Sequence, residues 1–112
     1  MSANDAETVF CFYRVIAGRE KALLDRIWEH DVTLRKLALV TDTPMTVYRG
    51  SDERGRPFLV KLFEWSSARA VEVAHQHPEV LALWERMDQQ CEARDGRPNM
   101  EFPHVERVTF PG

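Results

Sequence analysis

The stretch Thr8-Val9-Phe10-Cys11-Phe12-Tyr13-Arg14-Val15-Ile16 decides the fold of this chain. It is crowded with β-branched and aromatic residues and is followed by Gly18, so it reads as a β-strand. Alternation puts Phe10, Phe12 and Ile16 on one face and Val9, Cys11, Tyr13 and Val15 on the other. A second stretch, Pro57–Trp65, repeats the pattern: Phe58, Val60 and Leu62 oppose Leu59, Phe63 and Trp65. Both faces of both strands are therefore apolar. A sheet with one face in water alternates apolar and polar residues instead. Helices can cover one face of this sheet, and something else must cover the other.

The segments between these strands complete the order. Residues 19–39 carry Leu23, Ile27, His30, Leu34 and Leu37 at spacings of four, three, four and three, the stripe of an amphipathic helix. Met45–Gly50 reads as a strand joined to Pro57–Trp65 by the polar loop Ser51–Arg56, which contains Gly55 as a hairpin turn should. A second helical region is expected from about Ser67 to Arg94, broken at His77-Pro78, because proline disfavours a helical residue before it and suits the first turn of a new helix. Ser66 or Ser67 can cap its first piece. Val80, Trp84, Met87 and Cys91 form the stripe of the second piece, which Gly96 and Pro98 end. Met100–Phe110 is the expected last strand, with Pro103 marking a sheet edge. The order β-α-β-β-α-β is the ferredoxin-like α+β signature: a four-stranded antiparallel sheet with two helical regions on one face.

Length and composition set the bounds. All 112 residues suit one domain, with its core over about 8–110. The formal charge is −3, from 15 basic and 18 acidic residues without a basic run, which speaks against sequence-independent nucleic-acid binding. The polar start Met1–Glu7 lacks the basic and apolar segments of a signal peptide. The longest wholly apolar run, Leu37–Val40, is far too short to cross a bilayer. A cytoplasmic protein with two reduced, buried cysteines, Cys11 and Cys91, is expected.

The junction Trp65-Ser66-Ser67-Ala68-Arg69-Ala70-Val71-Glu72-Val73-Ala74-His75 resembles the W-x-S-x-x-A-x-x-x-A-H pattern of antibiotic-biosynthesis-monooxygenase-like domains of the dimeric α+β barrel superfamily. The order of elements agrees from about Thr8 to Phe110. The resemblance implies a homodimer whose sheets pack face to face, which would cover the second apolar face. It also implies a functional range from cofactor-independent oxygenases of phenols and quinols to haem-degrading enzymes. An ungapped match to the haem-degrading branch puts Ala74 where that branch has tryptophan and Trp84 where it has the iron-binding histidine. Indole cannot ligate a metal, so no haem is expected, and no flavin, nicotinamide, phosphate-loop or zinc pattern is present.

His30, His75 and His104 are the candidate proton acceptors, since imidazole titrates near neutral pH. His30 lies on the apolar stripe of the first helix, where a hydrogen-bonded core histidine is the plainer reading. His75 and His77 stand two apart and do not share a helix face, which argues against a metal pair. Trp65, Trp84, Tyr48 and Tyr13 are candidate walls of an aromatic-binding cavity, or simply core. Two functions compete. One is a cofactor-independent monooxygenase of a small aromatic or quinol compound, held between helices and sheet. The other is a non-catalytic dimeric module for small-molecule binding or stress-related interaction. Polar groups converging on a cavity would favour the first. A space filled by Trp84, Met87 and Phe63 would favour the second.

Overall fold

The computed structural model describes residues 5–112. Its elements are β1 (Glu7–Tyr13), α1 (Glu20–Lys36), β2 (Thr46–Ser51), β3 (Pro57–Trp65), α2 (Ala68–Ala74), α3 (Pro78–Asp88), β4 (Met100–Glu101) and β5 (His104–Val105). The sheet is antiparallel, in the order β2-β3-β1-β4, with β5 also on β1. This is the expected ferredoxin-like α+β fold.

Register fixes the two sheet faces. Val9 stands opposite Phe63, Cys11 opposite Lys61 and Tyr13 opposite Leu59. All six are buried under the helices. Leu23, Ile27, His30 and Leu34 of α1 and Val80 and Met87 of α3 close the same layer. On the other face Phe10 pairs with Leu62 and Phe12 with Val60. These residues are half-buried, and the Phe12 and Phe58 rings stack at 4.9 Å between centroids. Gly50 permits that arrangement, because a Cβ there would lie 2.5 Å from the Phe58 ring.

The caps follow local chemistry. The Ser67 hydroxyl accepts the Ala70 N–H at 3.0 Å and starts α2, whereas Ser66 donates to the Leu39 carbonyl at 3.2 Å. His77 caps α3 with Pro78 at its first position, and its Nδ1 accepts the Glu79 N–H at 3.2 Å. The first helix ends at Lys36 rather than reaching residue 39, because Ala38 takes a left-handed φ of 58° and turns Leu39 back into the core.

The second helical region and the last strand also differ from expectation. The second helical region stops at Asp88 instead of Arg94: the Glu92 N–H is donated to the Arg14 carbonyl at 2.8 Å and Cys91 bridges Val15, so extended pairing with the end of the first strand wins over helix. The expected last strand is two short ones. Pro103 interrupts it, lacking an N–H to donate, although its carbonyl accepts the Phe10 N–H at 2.9 Å. Residues 106–112 form no strand and lie exposed.

Arg94 fastens this region. Its buried guanidinium donates to the Val15 carbonyl and, at 2.7 Å, to the Pro57 carbonyl, with Glu92 at 3.4 Å and Asp52 at 4.0 Å balancing the charge. Arg94→Met removes these donors and leaves buried carbonyls unpaired, so urea unfolding should show a loss of about 2–4 kcal/mol. Unchanged stability would show that the guanidinium does not hold the strand ends together.

Candidate active site

Between the helices and the inner sheet face lies a cavity of about 250 Å³. Its floor is made of buried residues from three elements: Val9, Cys11 and Tyr13 of β1, Lys61 of β3, and His30 of α1. Phe63, Trp65, Val71, Trp84 and Met87 wall it. The rim is exposed and consists of His75, Phe102 and His104.

Lys61 and His30 meet at the floor, with Nζ 3.2 Å from Nδ1. On the opposite edge of the ring, the Trp84 indole N–H donates to His30 Nε2 at 2.8 Å. An indole can only donate, so Nε2 must be the unprotonated nitrogen of a neutral imidazole and Nδ1 must carry the proton. Nδ1–H then needs an acceptor. Its partner is Lys61 Nζ, which accepts only as a neutral amine. A lysine ammonium would demand an accepting Nδ1 and so force the ring proton onto Nε2, against the indole N–H.

The surroundings agree with this assignment. Burial holds the Lys61 amine below its usual range, opposed by Cys11 and Asp31, which favour the charged form. Burial pushes His30 well below its ordinary value, which keeps the imidazole neutral. Lys61 makes no ion pair among the described residues, and Asp31 is engaged by Arg35 at 2.9 Å. The Phe63 ring lies 4.6 Å from Nζ and the Tyr13 ring 6.0 Å. Such rings favour a desolvated cation by about 2 kcal/mol, less than the several kcal/mol that burying an ion costs. Desolvation thus outweighs the rings and favours the neutral amine.

Tyr13 adds a second polar group. Its hydroxyl is fully buried and has no oxygen or nitrogen partner among the described residues; the weakly polar Cys11 thiol sits beside it. Burial, then Cys11, raises the Tyr13 phenol well above its ordinary value. Burial also raises the Cys11 thiol, so both groups stay protonated at neutral pH.

The sequence candidates thus separate. His30, Trp84, Trp65 and Tyr13 come together around the cavity, and His75 and His104 stand at its rim. The His75 ring packs edge-on against Trp84 at 4.9 Å. His104 Nδ1 lies 3.5 Å from a Glu7 carboxylate oxygen. Tyr48 is not part of the site. It pairs with Val60, on the outer sheet face, and is 57% exposed. Lys61 escaped the sequence reading. Its signal was there, as the single charge in the apolar run Phe58–Phe63, at the same alternation as Leu59, Phe63 and Trp65.

An indole cannot ligate iron, and both ring nitrogens of His30 are engaged, by Trp84 and Lys61. Among the described residues no three side chains of metal-binding type cluster, and no helix is long and apolar enough to cross a membrane.

No protein-family model and no curated protein matches the chain. Solved structures do. A conserved protein of unknown function from Bacteroides thetaiotaomicron superposes with a TM-score of 0.70 at 13% identity, over 94% of this chain and 100% of that one. A variant of SnoaB, a cofactor-independent oxygenase from Streptomyces nogalater, superposes with a TM-score of 0.66 at 14% identity, covering 96% and 99%. A dimeric protein of unknown function and ferredoxin-like fold from Bacteroides fragilis gives 0.62 at 10% identity, covering 91% and 96%.

The pair of buried bases should shape stability against pH. Unfolded lysine binds a proton up to about pH 10.4, whereas native Lys61, its pKa lowered by burial, releases it at lower pH. The stability associated with Lys61 is therefore complete above that pH and declines as pH falls toward the native value. As pH rises toward the unfolded value, wild type should therefore gain stability relative to Lys61→Met in urea unfolding. His30 adds a further decline below its unfolded value of 6.5, absent in His30→Gln. Parallel curves for wild type and Lys61→Met would mean that native Lys61 is charged.

At this level of likeness the structural matches establish architecture: the chain has the ferredoxin-like α+β fold shared by antibiotic-biosynthesis-monooxygenase-like and dimeric ferredoxin-like proteins.

Proposed function

We propose that the protein is a cofactor-independent oxygenase of small phenols or quinols. The observation that carries this reading is the neutral Lys61 amine, held by His30 and Trp84 at the buried end of an apolar cavity. The likeness in fold to SnoaB supports it. The volume of about 250 Å³ lies just under the ~300–1,000 Å³ usual for ligand sites. That favours a compound of one or two rings.

Nζ turns away from Nδ1–H, which frees its lone pair, and Lys61 takes the phenolic proton to become an ammonium beside the phenolate it has made. In so dry a site that charge pair favours the anion strongly. The electron-rich ring passes an electron to dioxygen, and the resulting radical pair joins at a ring carbon. The Lys61 ammonium returns its proton to the peroxide, and loss of water from the resulting hydroperoxide leaves a quinone. For 1-naphthol the sum is naphthol plus dioxygen giving 1,4-naphthoquinone plus water. His30 positions Nζ through Nδ1–H, and Trp84 sets the tautomer that makes this possible. Tyr13 offers its free O–H to the substrate oxygen.

Oxygen uptake with naphthols and hydroquinones tests the reading. Lys61→Met should reduce turnover about a hundredfold or more, the scale of acid–base catalysis. His30→Gln, which cannot present the same N–H to Nζ, should fall nearly as far with its fold intact. Wild type without uptake on any such substrate, or equal rates in the variants, would sink the proposal.

We also infer that two copies of the chain join through their outer sheet faces. Phe10, Phe12, Phe58, Val60 and Leu62 form a continuous apolar surface there, edged by Tyr48. Closed two-fold pairing is the commonest way to cover such a face, and two of the structurally similar proteins are described as dimeric. Sedimentation should give twice the 13.0 kDa chain mass, and Val60→Asp should shift it toward the monomer. A wild-type monomer at micromolar concentration would refute the pairing.

A further inference from the structure

A neutral amine in an apolar cavity is a nucleophile as well as a base. The chain has three lysines, Lys21, Lys36 and Lys61, and only Lys61 is buried. Lys21 and Lys36 are exposed, Lys21 with a side chain 90% accessible. Surface lysines keep only roughly one molecule in a thousand neutral near pH 7. Lys61 is held neutral by the hydrogen-bond order of Trp84 and His30. The same cavity contains the Tyr13 hydroxyl, which is buried without an oxygen or nitrogen partner. That donor is left for a ligand oxygen, and leaving it unmet costs about 1–3 kcal/mol.

From these groups we propose that the cavity is a carbonyl-capture site, in which Lys61 forms an imine with a small aromatic aldehyde or ketone. Rotation of Nζ away from His30 frees its lone pair and leaves Nδ1–H as a second donor facing the reacting atoms. The lone pair attacks the carbonyl carbon and a C–N bond forms. The carbonyl π pair moves to oxygen, which takes a proton from Nζ and becomes the hydroxyl of a carbinolamine, within reach of donors such as Tyr13 O–H. The C–O bond then breaks. Its oxygen leaves with a proton as water, nitrogen gives up its remaining proton, and C=N is formed. The sum is amine plus carbonyl compound giving imine plus water, with no oxidant or reductant. The apolar walls Phe63, Trp65, Val71 and Met87 take the aromatic ring and keep bulk water from reversing the step.

This chemistry does not depend on oxygenase activity, and the two are read separately. The intact protein is incubated near pH 7 with benzaldehyde and cyanoborohydride. The hydride adds to the imine carbon, and the benzyl group becomes fixed on nitrogen. Peptide mass mapping should find benzyl on Lys61 about tenfold or more ahead of Lys21 and Lys36, in line with its larger neutral fraction. Benzyl alcohol, of the same shape but without a carbonyl, should slow that labelling and leave the surface lysines unaffected. Lys61→Arg should lose the fast site. A Cys11 thiol adduct would not survive as a benzylamine and cannot imitate the result. Lys61 labelled no faster than Lys21 and Lys36, or labelling indifferent to benzyl alcohol, would overturn the proposal. Oxygen uptake failing while trapping succeeds would remove the oxygenase reading alone.

Discussion

The Trp84–His30–Lys61 chain of hydrogen bonds is the interaction on which the site depends. It ties α3 to α1 and α1 to β3 in two contacts of 2.8 and 3.2 Å. Because indole is a donor without an acceptor, the direction of the whole chain is fixed from one end. The proton on His30 has one place to be, and the lysine has one state in which it completes the set. A carboxylate next to Nζ would have produced an ordinary buried ion pair. Here the Asp31 carboxylate is taken by Arg35 instead, at 2.9 Å, and the amine is left to the imidazole.

The sheet supplies the frame. β3 and β1 lie side by side in register, so Lys61 and Cys11 face each other across the ladder while Tyr13 and Leu59 sit two residues along. The same alternation that sends these residues into the cavity sends Phe10, Phe12, Val60 and Leu62 to the opposite face. One strand pair therefore builds the floor of the site and the apolar outer face together. The other edge of β1 is paired only by β4 and β5, either side of Pro103. Phe102 and His104, on either side of that interruption, form part of the cavity rim, so the break in the edge coincides with the opening.

Much of this frame was legible in the sequence because it rests on periodicity. The two-faced strands, the stripe of α1, the Pro78 break and the order of elements are local patterns, and burial of Leu23, Ile27, His30 and Leu34 follows from their spacing. What local pattern could not give was competition between partners. Cys91 continues the helical stripe in sequence, yet its backbone pairs with Val15. Tyr48 looks like a cavity aromatic, but register with Val60 turns it outward. At the site, position was readable and chemistry was not. His30 was placed on the right stripe, but its tautomer is decided by Trp84, 54 residues away. Lys61 was hidden by the habit of treating lysine as a surface residue.

The cost of this arrangement is itself informative. A buried lysine without a carboxylate and a buried tyrosine hydroxyl without an oxygen or nitrogen partner, among the described residues, each weaken the folded state, and apolar residues of similar volume would commonly stabilise it instead. Local rules broken in a core usually mark a functional site. Here the two breaches fall in one cavity of about 250 Å³, and the Lys61 amine lies 6.0 Å from the centre of the Tyr13 ring. Aromatic and aliphatic walls surround them on the remaining sides. An aromatic molecule bearing one oxygen answers both breaches at once: its ring replaces water against Phe63 and Trp65, and its oxygen accepts a hydrogen bond from the Tyr13 O–H while presenting an acidic or electrophilic atom to Lys61. A purely apolar ligand would leave both polar groups unmet, and a strongly polar one would be poorly matched to the walls. The proposed selectivity for phenols and aromatic carbonyl compounds rests on the same physical ground, before any step of chemistry begins.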